Sequence, residues 1–326
     1  MTTDVVVVGA GVVGLSTAVC LAEAGASVAV HAAAPPHLTT SAGAGAMWDP
    51  YLVHPRQRVD VWGASTYTEL SRLADTGVGV RMALGTQQSR TVCDPPEWLD
   101  VLGGRLCTPS ELAPGYRSGW RYRAPVVDMP LFLEHLHNRL ISAGGRVATR
   151  IYRTLREAAE AAPMVVNCTG TGARSLVPDS SLTAVQGQLV VVSNPGISEF
   201  FCDDTPDSEE LTYIYPHSDT VVLGGTTRPD VWDLRPDADA AEAIFARCAA
   251  VDGRLRGASV LGHRVGLRPA RPRVRLEEER SASKGRLVHN YGHGGAGLTL
   301  SWGCAREVAR LVLGGSTADL PGGTAR

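Results

Sequence analysis

The 326-residue sequence predicts a two-domain α/β protein, and three observations carry that expectation. An unbroken apolar run, Val5-Val6-Val7-Val8, enters a glycine turn and then a helical stretch at the start of the chain. Strand and helix patterns alternate again between residues 129 and 167. Residues 186–192 and 211–225 look different: apolar and polar side chains alternate, with aromatics, between polar loops. The first two observations indicate a Rossmann-like parallel sheet with helices on its faces. The third indicates a second, α+β domain built on a mainly antiparallel sheet. The expected division gives 1–50, 129–183 and 269–326 to the first domain and 51–128 and 184–268 to the second.

Taken in order, Val5–Val8 is β-branched throughout, as a strand covered on both faces requires. Residues 12–24 read as a helix stopped at Gly25, and Ser27 to His31 as the next strand of a right-handed βαβ unit. Residues 129–143 form an expected helix with Leu131, Phe132, Leu136, Leu140 and Ile141 on its apolar face, ended by Gly144-Gly145. A strand from Arg146 to Tyr152, a short helix over 155–162 and a buried strand from Met164 to Asn167 follow. A helix over 238–251, a strand at Leu287-Val288-His289 and a last helix over 297–313 complete the pattern.

Composition sets limits on function. A hydrophobic content of 44% supports a large core, and a formal net charge of -2 supplies no basic field for nucleic acid. Seven scattered cysteines, odd in number and never spaced as CxxC, argue against a disulfide framework or a zinc site and suit free thiols in a reducing cytoplasm. The segment Val5 to Leu21 is broken by three glycines and has no basic leader, so it reads as strand-turn-helix and not as a signal peptide or membrane span.

The turn itself is Gly9-Ala10-Gly11-Val12-Val13-Gly14. Gly9 permits the tight exit from the strand, Gly11 lets backbone approach a pyrophosphate, and Gly14 lets the helix pack on the sheet. The helix start then offers free N–H groups and a partial positive charge to phosphates. The acid that usually binds ribose after the second strand is missing, since the chain there reads His31-Ala32-Ala33-Ala34.

The stretch His289-Asn290-Tyr291-Gly292-His293-Gly294-Gly295-Ala296-Gly297-Leu298-Thr299 holds four glycines within six residues, 292 to 297. Glycine weakens helix and strand, so this density fits a backbone pressed against a flat or anionic ligand. The stretch, continuing into Ser301-Trp302-Gly303-Cys304-Ala305, resembles the signature of the D-amino acid oxidase and D-aspartate oxidase family. Other segments resemble that family in the same order: Leu38-Thr39-Thr40-Ser41 with Gly45-Ala46-Met47-Trp48-Asp49-Pro50-Tyr51, Asn167-Cys168-Thr169-Gly170, Gln186-Gly187-Gln188, Tyr213-Ile214-Tyr215-Pro216 with Leu223-Gly224-Gly225, and Gly266-Leu267-Arg268-Pro269-Ala270-Arg271-Pro272.

The resemblance covers almost the whole chain. It implies non-covalent FAD and oxidation of a D-amino acid, with oxygen as the final acceptor and hydrogen peroxide, ammonia and a 2-oxo acid as products. It places the FAD contacts at Gly9, Ala10, Gly11, Val12, Val13, Gly14, Ala33, Thr39, Thr40, Ser41, Gly45, Ala46, Met47, Thr171, Arg268, His293, Gly294, Gly295, Gly297, Leu298 and Thr299. Arg268 stands at the family's carboxylate anchor, where a planar guanidinium binds a carboxylate through two parallel hydrogen bonds. Tyr213 matches the hydroxyl that meets the same carboxylate, and Tyr215 shares its face in a regular strand. Arg268 and Tyr213 are thus the catalytic pair, and Gly295 and Asp49 complete the substrate contacts. Asp49 replaces a neutral amide of some relatives and either narrows the choice of substrate side chain or faces outward.

The chemistry implied is hydride transfer from the substrate α carbon to flavin N5, with no general base acting on the carbon. His293 is accordingly expected to contact flavin through its backbone, and His289 to be a structural hydrogen-bonder. Arg228 lies one residue away from the arginine of aspartate-specific relatives, which swaps its face in a strand, so neutral D-amino acids are the expected substrates. Pro206-Asp207-Ser208-Glu209-Glu210 carries no tyrosine where relatives have a lid tyrosine, which implies a reduced lid. Alternatives are a D-aspartate oxidase and a glycine- or sarcosine-type flavin amine oxidase. A nicotinamide-dependent dehydrogenase fits the C-terminal glycines less well. No membrane or nucleic-acid partner is expected, and a homodimer is compatible with the sequence.

Overall fold

The computed structural model describes residues 3–49, 53–206, 208, 210–279 and 285–314. Pro50, Tyr51, Asp207, Glu209 and the chain from 315 onward, all used in the readings above, lie outside the described residues.

Both expected sheets are present. The first runs in the order Arg275–Glu279, Arg286–Tyr291, Met164–Asn167, Val5–Val8, Val28–Ala32, Arg146–Thr149. Its strands are parallel except for the outermost pair, Arg275–Glu279 with Arg286–Tyr291. The valine run explains itself here. Val5 and Val7 pack under helices Val12–Glu23, Met129–Ser142 and Gly297–Leu313, while Val6 and Val8 pack on the opposite face against Leu155 and Ala158.

One expected apolar face needs correction. Leu131 and Ile141 are 50% and 46% exposed, and Met129 and Leu133 are buried in their place. At 100° per residue, positions 131 and 141 each lie about 140° around the helix from the buried Leu136. Positions 129, 132, 133 and 140 fall within about 60° of it, so the face that meets the core is theirs. Asp128 caps the helix start by accepting from the Leu131 amide.

The second sheet has ten strands. Its main path runs Arg228–Pro229, Thr183–Ser193, Thr220–Thr226, Glu210–Pro216, Phe200–Asp203, Val80–Ser89, Ser118–Val127, Ala46–Met47. Val260–Ala270 also pairs along Thr183–Ser193, and Arg105–Leu106 along Ser118–Val127. Pairing is antiparallel except between Phe200–Asp203 and Val80–Ser89. Strand alternation sorts the side chains. Val190, Val192, Phe201, Ile214, Val221 and Leu223 lie under helix Ala238–Val251. Leu189, Val191, Phe200, Cys202, Tyr213, Tyr215 and Val222 face the other way and share a second core with Met47, Trp120 and Tyr122. Helix Arg56–Leu73 and the long strands Val80–Ser89 and Ser118–Val127 lie in the stretch whose sequence shows no clear period.

Candidate active site

The first glycine motif forms a close-packed turn. Gly9 has φ +116°, and a Cβ there would lie 2.3 Å from the Cys168 carbonyl oxygen. A Cβ on Gly14 would lie 2.0 Å from the Gly9 carbonyl oxygen, so the helix sits directly on the turn. Gly11 meets only the Ser41 hydroxyl, at 3.0 Å, and that hydroxyl accepts from the Val12 amide. The helix begins at Val12 with no side-chain cap from Gly11 and no acid in its first turn. Its positive end is left for an anion. Ala10 and Val12 are buried and Val13 half-buried. Ala33 is exposed just past the second strand, and the neighbouring Arg150 donates its amide to Ala32.

The second motif converges on the same place. Gly297 comes within ordinary contact of Val12 and Val13, 3.9 Å from each. Gly295 is exposed between buried His293 and Ala296, and Leu298 is buried beyond. Beneath the loop, the Tyr291 hydroxyl and Arg271 Nε both donate to Asp179, at 2.7 and 2.8 Å, and Arg275 donates to the Tyr291 hydroxyl at 2.9 Å. Burial raises the Asp179 carboxyl, but these donors and the Ser181 amide outweigh it and hold the group at about 2. His289 is bound on both ring nitrogens, to Asn167 and Glu279, as a structural hydrogen-bonder would be. His293 is only 3% exposed, burial pushes it down to about 4, and its Nε2 has no partner among the described residues.

Arg268 and Tyr213 come together although they are 55 residues apart. Tyr213 lies on Glu210–Pro216 and Arg268 on the edge strand Val260–Ala270, where Pro269 costs no central ladder bond. The guanidinium lies flat on Gly187: a Cβ there would stand 2.4 Å from its Cζ and both terminal nitrogens. The Tyr213 ring lies on its cross-strand partner Gly224, where a Cβ would stand 1.8 Å from the ring. Arg268 donates to the Thr226 carbonyl at 3.0 Å and to the Tyr213 hydroxyl. Burial raises the phenol and Arg268 opposes it, leaving Tyr213 protonated at neutral pH. Gly295 stands over the arginine stem, with Cδ 3.7 Å from a Cβ at that position. Gly45 borders the Tyr213 ring, and Tyr215 stacks on it at 4.5 Å between centroids.

The remaining candidates separate by what their side chains already do. Thr39 donates to Pro36, and the Thr40 methyl packs at Gly266. Thr299 binds both backbone groups of Asp49 through its hydroxyl. Ala46 and Met47 are buried, and the Met47 side chain belongs to the second core. Thr171 sits half-buried in the short turn Gly170–Gly172, which Pro269 approaches. Gly294 has open space above it and φ +55°. Asp49 is half-buried and acts electrostatically on the buried Tyr122, Cys202 and Tyr215. Arg228 forms an ion pair with Asp237 at 2.9 Å. Gly187 and Gly224, on which the Arg268 and Tyr213 side chains lie, stand in quoted motifs, but their role as floors depends on strand register.

A surface lined by Gly9–Gly14 and Gly292–Gly297, with an uncapped helix start and an unpartnered buried imidazole, fits an extended dinucleotide bearing a flat ring. Fold and site together define a flavin-dependent oxidoreductase, with Arg268 and Tyr213 side by side in its second sheet. The chain belongs to the FAD dependent oxidoreductase family, whose model matches residues 4–311. It is 48% identical to the D-amino-acid oxidase of Rubrobacter xylanophilus over 94% of this chain and 95% of that one. It is 45% identical to the D-amino-acid oxidase of Streptomyces coelicolor over 95% of this chain and 96% of that one. In fold it is similar to glycine oxidase from Geobacillus kaustophilus, with TM-score 0.80 and 20% identity over 97% of this chain and 95% of that one.

Proposed function

We propose that this chain is an FAD-dependent D-amino acid oxidase, converting a D-amino acid to the imino acid that hydrolyses to a 2-oxo acid and ammonia. The observation that carries this reading is the Arg268 guanidinium, flat on Gly187, bonded to Tyr213 and bordered by Gly295. A planar cation with a phenol beside it binds a carboxylate from two directions. The glycine-lined surface of residues 9–14 and 292–297, with Ser41 and Thr171, would hold the cofactor without a covalent link. Bound FAD supplies the hydride acceptor, flavin N5, and its reoxidation by oxygen gives hydrogen peroxide.

The protein's own contribution is orientation and electrostatics. Arg268 and Tyr213 fix the carboxylate, which leaves the α carbon only rotation about one axis. Gly295, without a side chain, lets the bound acid stand close to the loop. His293 is neutral at working pH because burial holds its pKa near about 4, so it adds no charge beside the ring. The strands of the first sheet would form the cofactor domain and those of the second the substrate domain.

Seven free cysteines suit a cytoplasmic setting, and among the described residues no helix is long and apolar enough to cross a membrane. The test is direct. Purified protein should be yellow, should be bleached anaerobically by D-alanine and not by L-alanine, and should form peroxide when oxygen is readmitted. Acid precipitation should release all of the FAD. Bleaching by sarcosine alone would replace this reading with the glycine- or sarcosine-type oxidase.

A further inference from the structure

The face of the second sheet that carries Tyr213 carries a second group of polar residues. Trp120, Gln87, Cys202 and Tyr213 are register partners on four adjacent strands, so they form one row across the sheet. Alternation turns Asp203 to the opposite face, where the Tyr116 hydroxyl donates to it. Asp204 therefore returns to the face of Cys202 and Tyr213. It accepts from the Gln87 side chain, which in turn accepts from Tyr122 at 2.8 Å. Asp49 arrives from the other side, its backbone held by the Thr299 hydroxyl at the start of the glycine-loop helix. Tyr215, stacked on Tyr213, donates its hydroxyl to Cys202 at 3.6 Å, and both acids act electrostatically on Cys202.

Asp49 does not look like a packed group. Its carboxylate has no hydrogen-bond partner among the described residues, and it keeps part of its surface accessible. Yet protein surrounds it so completely that desolvation dominates its titration. A desolvated carboxylate that is partly accessible and has no hydrogen-bond partner among the described residues is free to meet a cation. The nearest cation acting on it, Arg56, is already paired with Asp60.

We propose that Asp49 and Asp204 line the side-chain end of the substrate pocket and select D-amino acids whose side chains end in an ammonium or guanidinium group. The assignment rests on the D-amino acid oxidase reading and narrows it. A substrate held by its carboxylate at Arg268 and Tyr213 projects its side chain past Tyr215 toward the two acids. A side-chain cation there meets two carboxylates, one of them without another partner. An acidic side chain meets like charge.

Burial raises Asp49 to about 7, with Asp204 adding to the rise and Arg56 opposing it. Burial likewise raises Asp204 to about 6, with Gln87 lowering it and Asp203 raising it. The other titratable neighbours, Tyr122, Tyr215 and Cys202, are pushed up by burial and stay neutral in this range. Raised carboxyls are protonated below these values and ionised above them. Preference for a cationic side chain must therefore grow as pH rises from about 6 to about 8.

The experiment compares D-lysine with D-norleucine, equal in chain length, in anaerobic reduction of the holoenzyme, with D-alanine as control. In the wild type, kcat/KM for D-lysine at about pH 8 should exceed that for D-norleucine by roughly tenfold or more, and the ratio should fall toward about pH 6. Asp49→Asn and Asp204→Asn should each lower the ratio by roughly tenfold and flatten its pH profile. A wild-type ratio below one, or a ratio that neither variant moves, overturns the assignment. The wild-type ratio decides even where a variant fails to fold. Reduction by D-alanine with no preference for D-lysine defeats this inference alone, whereas no reduction by any D-amino acid defeats the functional reading beneath it.

Discussion

The two ends of the site are built by different means. The proposed cofactor surface is made of backbone: Gly9, Gly11 and Gly14 on one side, Gly292 to Gly297 on the other, and a histidine held neutral by burial. The proposed substrate end is made of ionisable side chains, Arg268, Tyr213, Asp49 and Asp204, each on a different segment of the chain. The first surface excludes added atoms at Gly9 and Gly14 but asks little of side-chain chemistry. The second depends on charge and on register, since Arg268 and Tyr213 reach each other only because Gly187 and Gly224 leave flat floors for them. Substitutions at the two ends should therefore fail differently: the cofactor end by loss of fold and flavin, the substrate end by loss of turnover in an intact yellow protein.

The largest effect expected is at the anchor. Arg268→Met removes a charge-assisted, two-pronged contact and should lower kcat/KM for D-alanine by roughly 10³–10⁴-fold. The flavin spectrum and melting temperature should stay close to the wild type. Steady-state kinetics beside a flavin absorbance ratio check both halves. Loss of flavin in this variant would erase the contrast between the two ends.

Next comes the cofactor turn. Gly14→Ala places a Cβ 2.0 Å from the Gly9 carbonyl oxygen, a contact that only backbone movement relieves. Overpacking of this kind costs about 3 kcal/mol, and the variant should purify with little FAD and melt several degrees early. Asp179→Asn should cost about 2 kcal/mol, because Arg271 loses its charge partner and one of the two oxygens that accept from Arg271, Tyr291 and Ser181 becomes a donor. The pH signature follows from the sign of the shift. Asp179 is depressed to about 2, so its stabilisation is complete above the ordinary carboxyl range and is lost as pH falls toward about 2. Thermal melts of wild type and variant should converge in that acid window and differ most near neutrality.

How much of this the sequence revealed follows the same division. The valine run, the glycine turn and the last helix are local patterns, and each is visible within about twenty residues. The strands Val80–Ser89 and Ser118–Val127 have no such signal, because their partner is a distant strand and not a repeated period. Arg268 sits among Arg271, Arg273 and Arg275, and its role is visible only through the family motif around it. Asp204 was hidden entirely: Cys202-Asp203-Asp204-Thr205 reads as a polar loop, and only the alternation of a strand separates the two acids. Asp49 could be read either way until its neighbours Tyr122 and Tyr215 were in place.

A smaller effect is expected at Tyr213. Tyr213→Phe removes one hydroxyl from the anchor while the ring keeps its stack on Tyr215 and its floor at Gly224. Loss of a hydrogen bond to a charged group costs about 1.5 kcal/mol, so kcat/KM should fall by roughly tenfold, mostly through KM. A loss as large as that of the Arg268 variant would mean that the phenol takes part in the chemistry and not only in binding.

The smallest effect belongs to Arg228, and it bears on the D-aspartate alternative. Its guanidinium is paired with Asp237, which also caps helix Ala238–Val251 by accepting from the Ala240 amide. Both side chains of the pair are more than a third exposed, so the ion pair is worth only about 0.5 kcal/mol. An arginine committed to a helix cap at the surface is not free to meet a substrate's second carboxylate. Arg228→Gln should therefore change kcat/KM for D-aspartate and D-alanine by less than about twofold and by the same factor. A selective loss of roughly tenfold with D-aspartate would show that Arg228 leaves Asp237 for the substrate. It would also place a cation at the side-chain end of the pocket, where Asp49 and Asp204 otherwise set the charge.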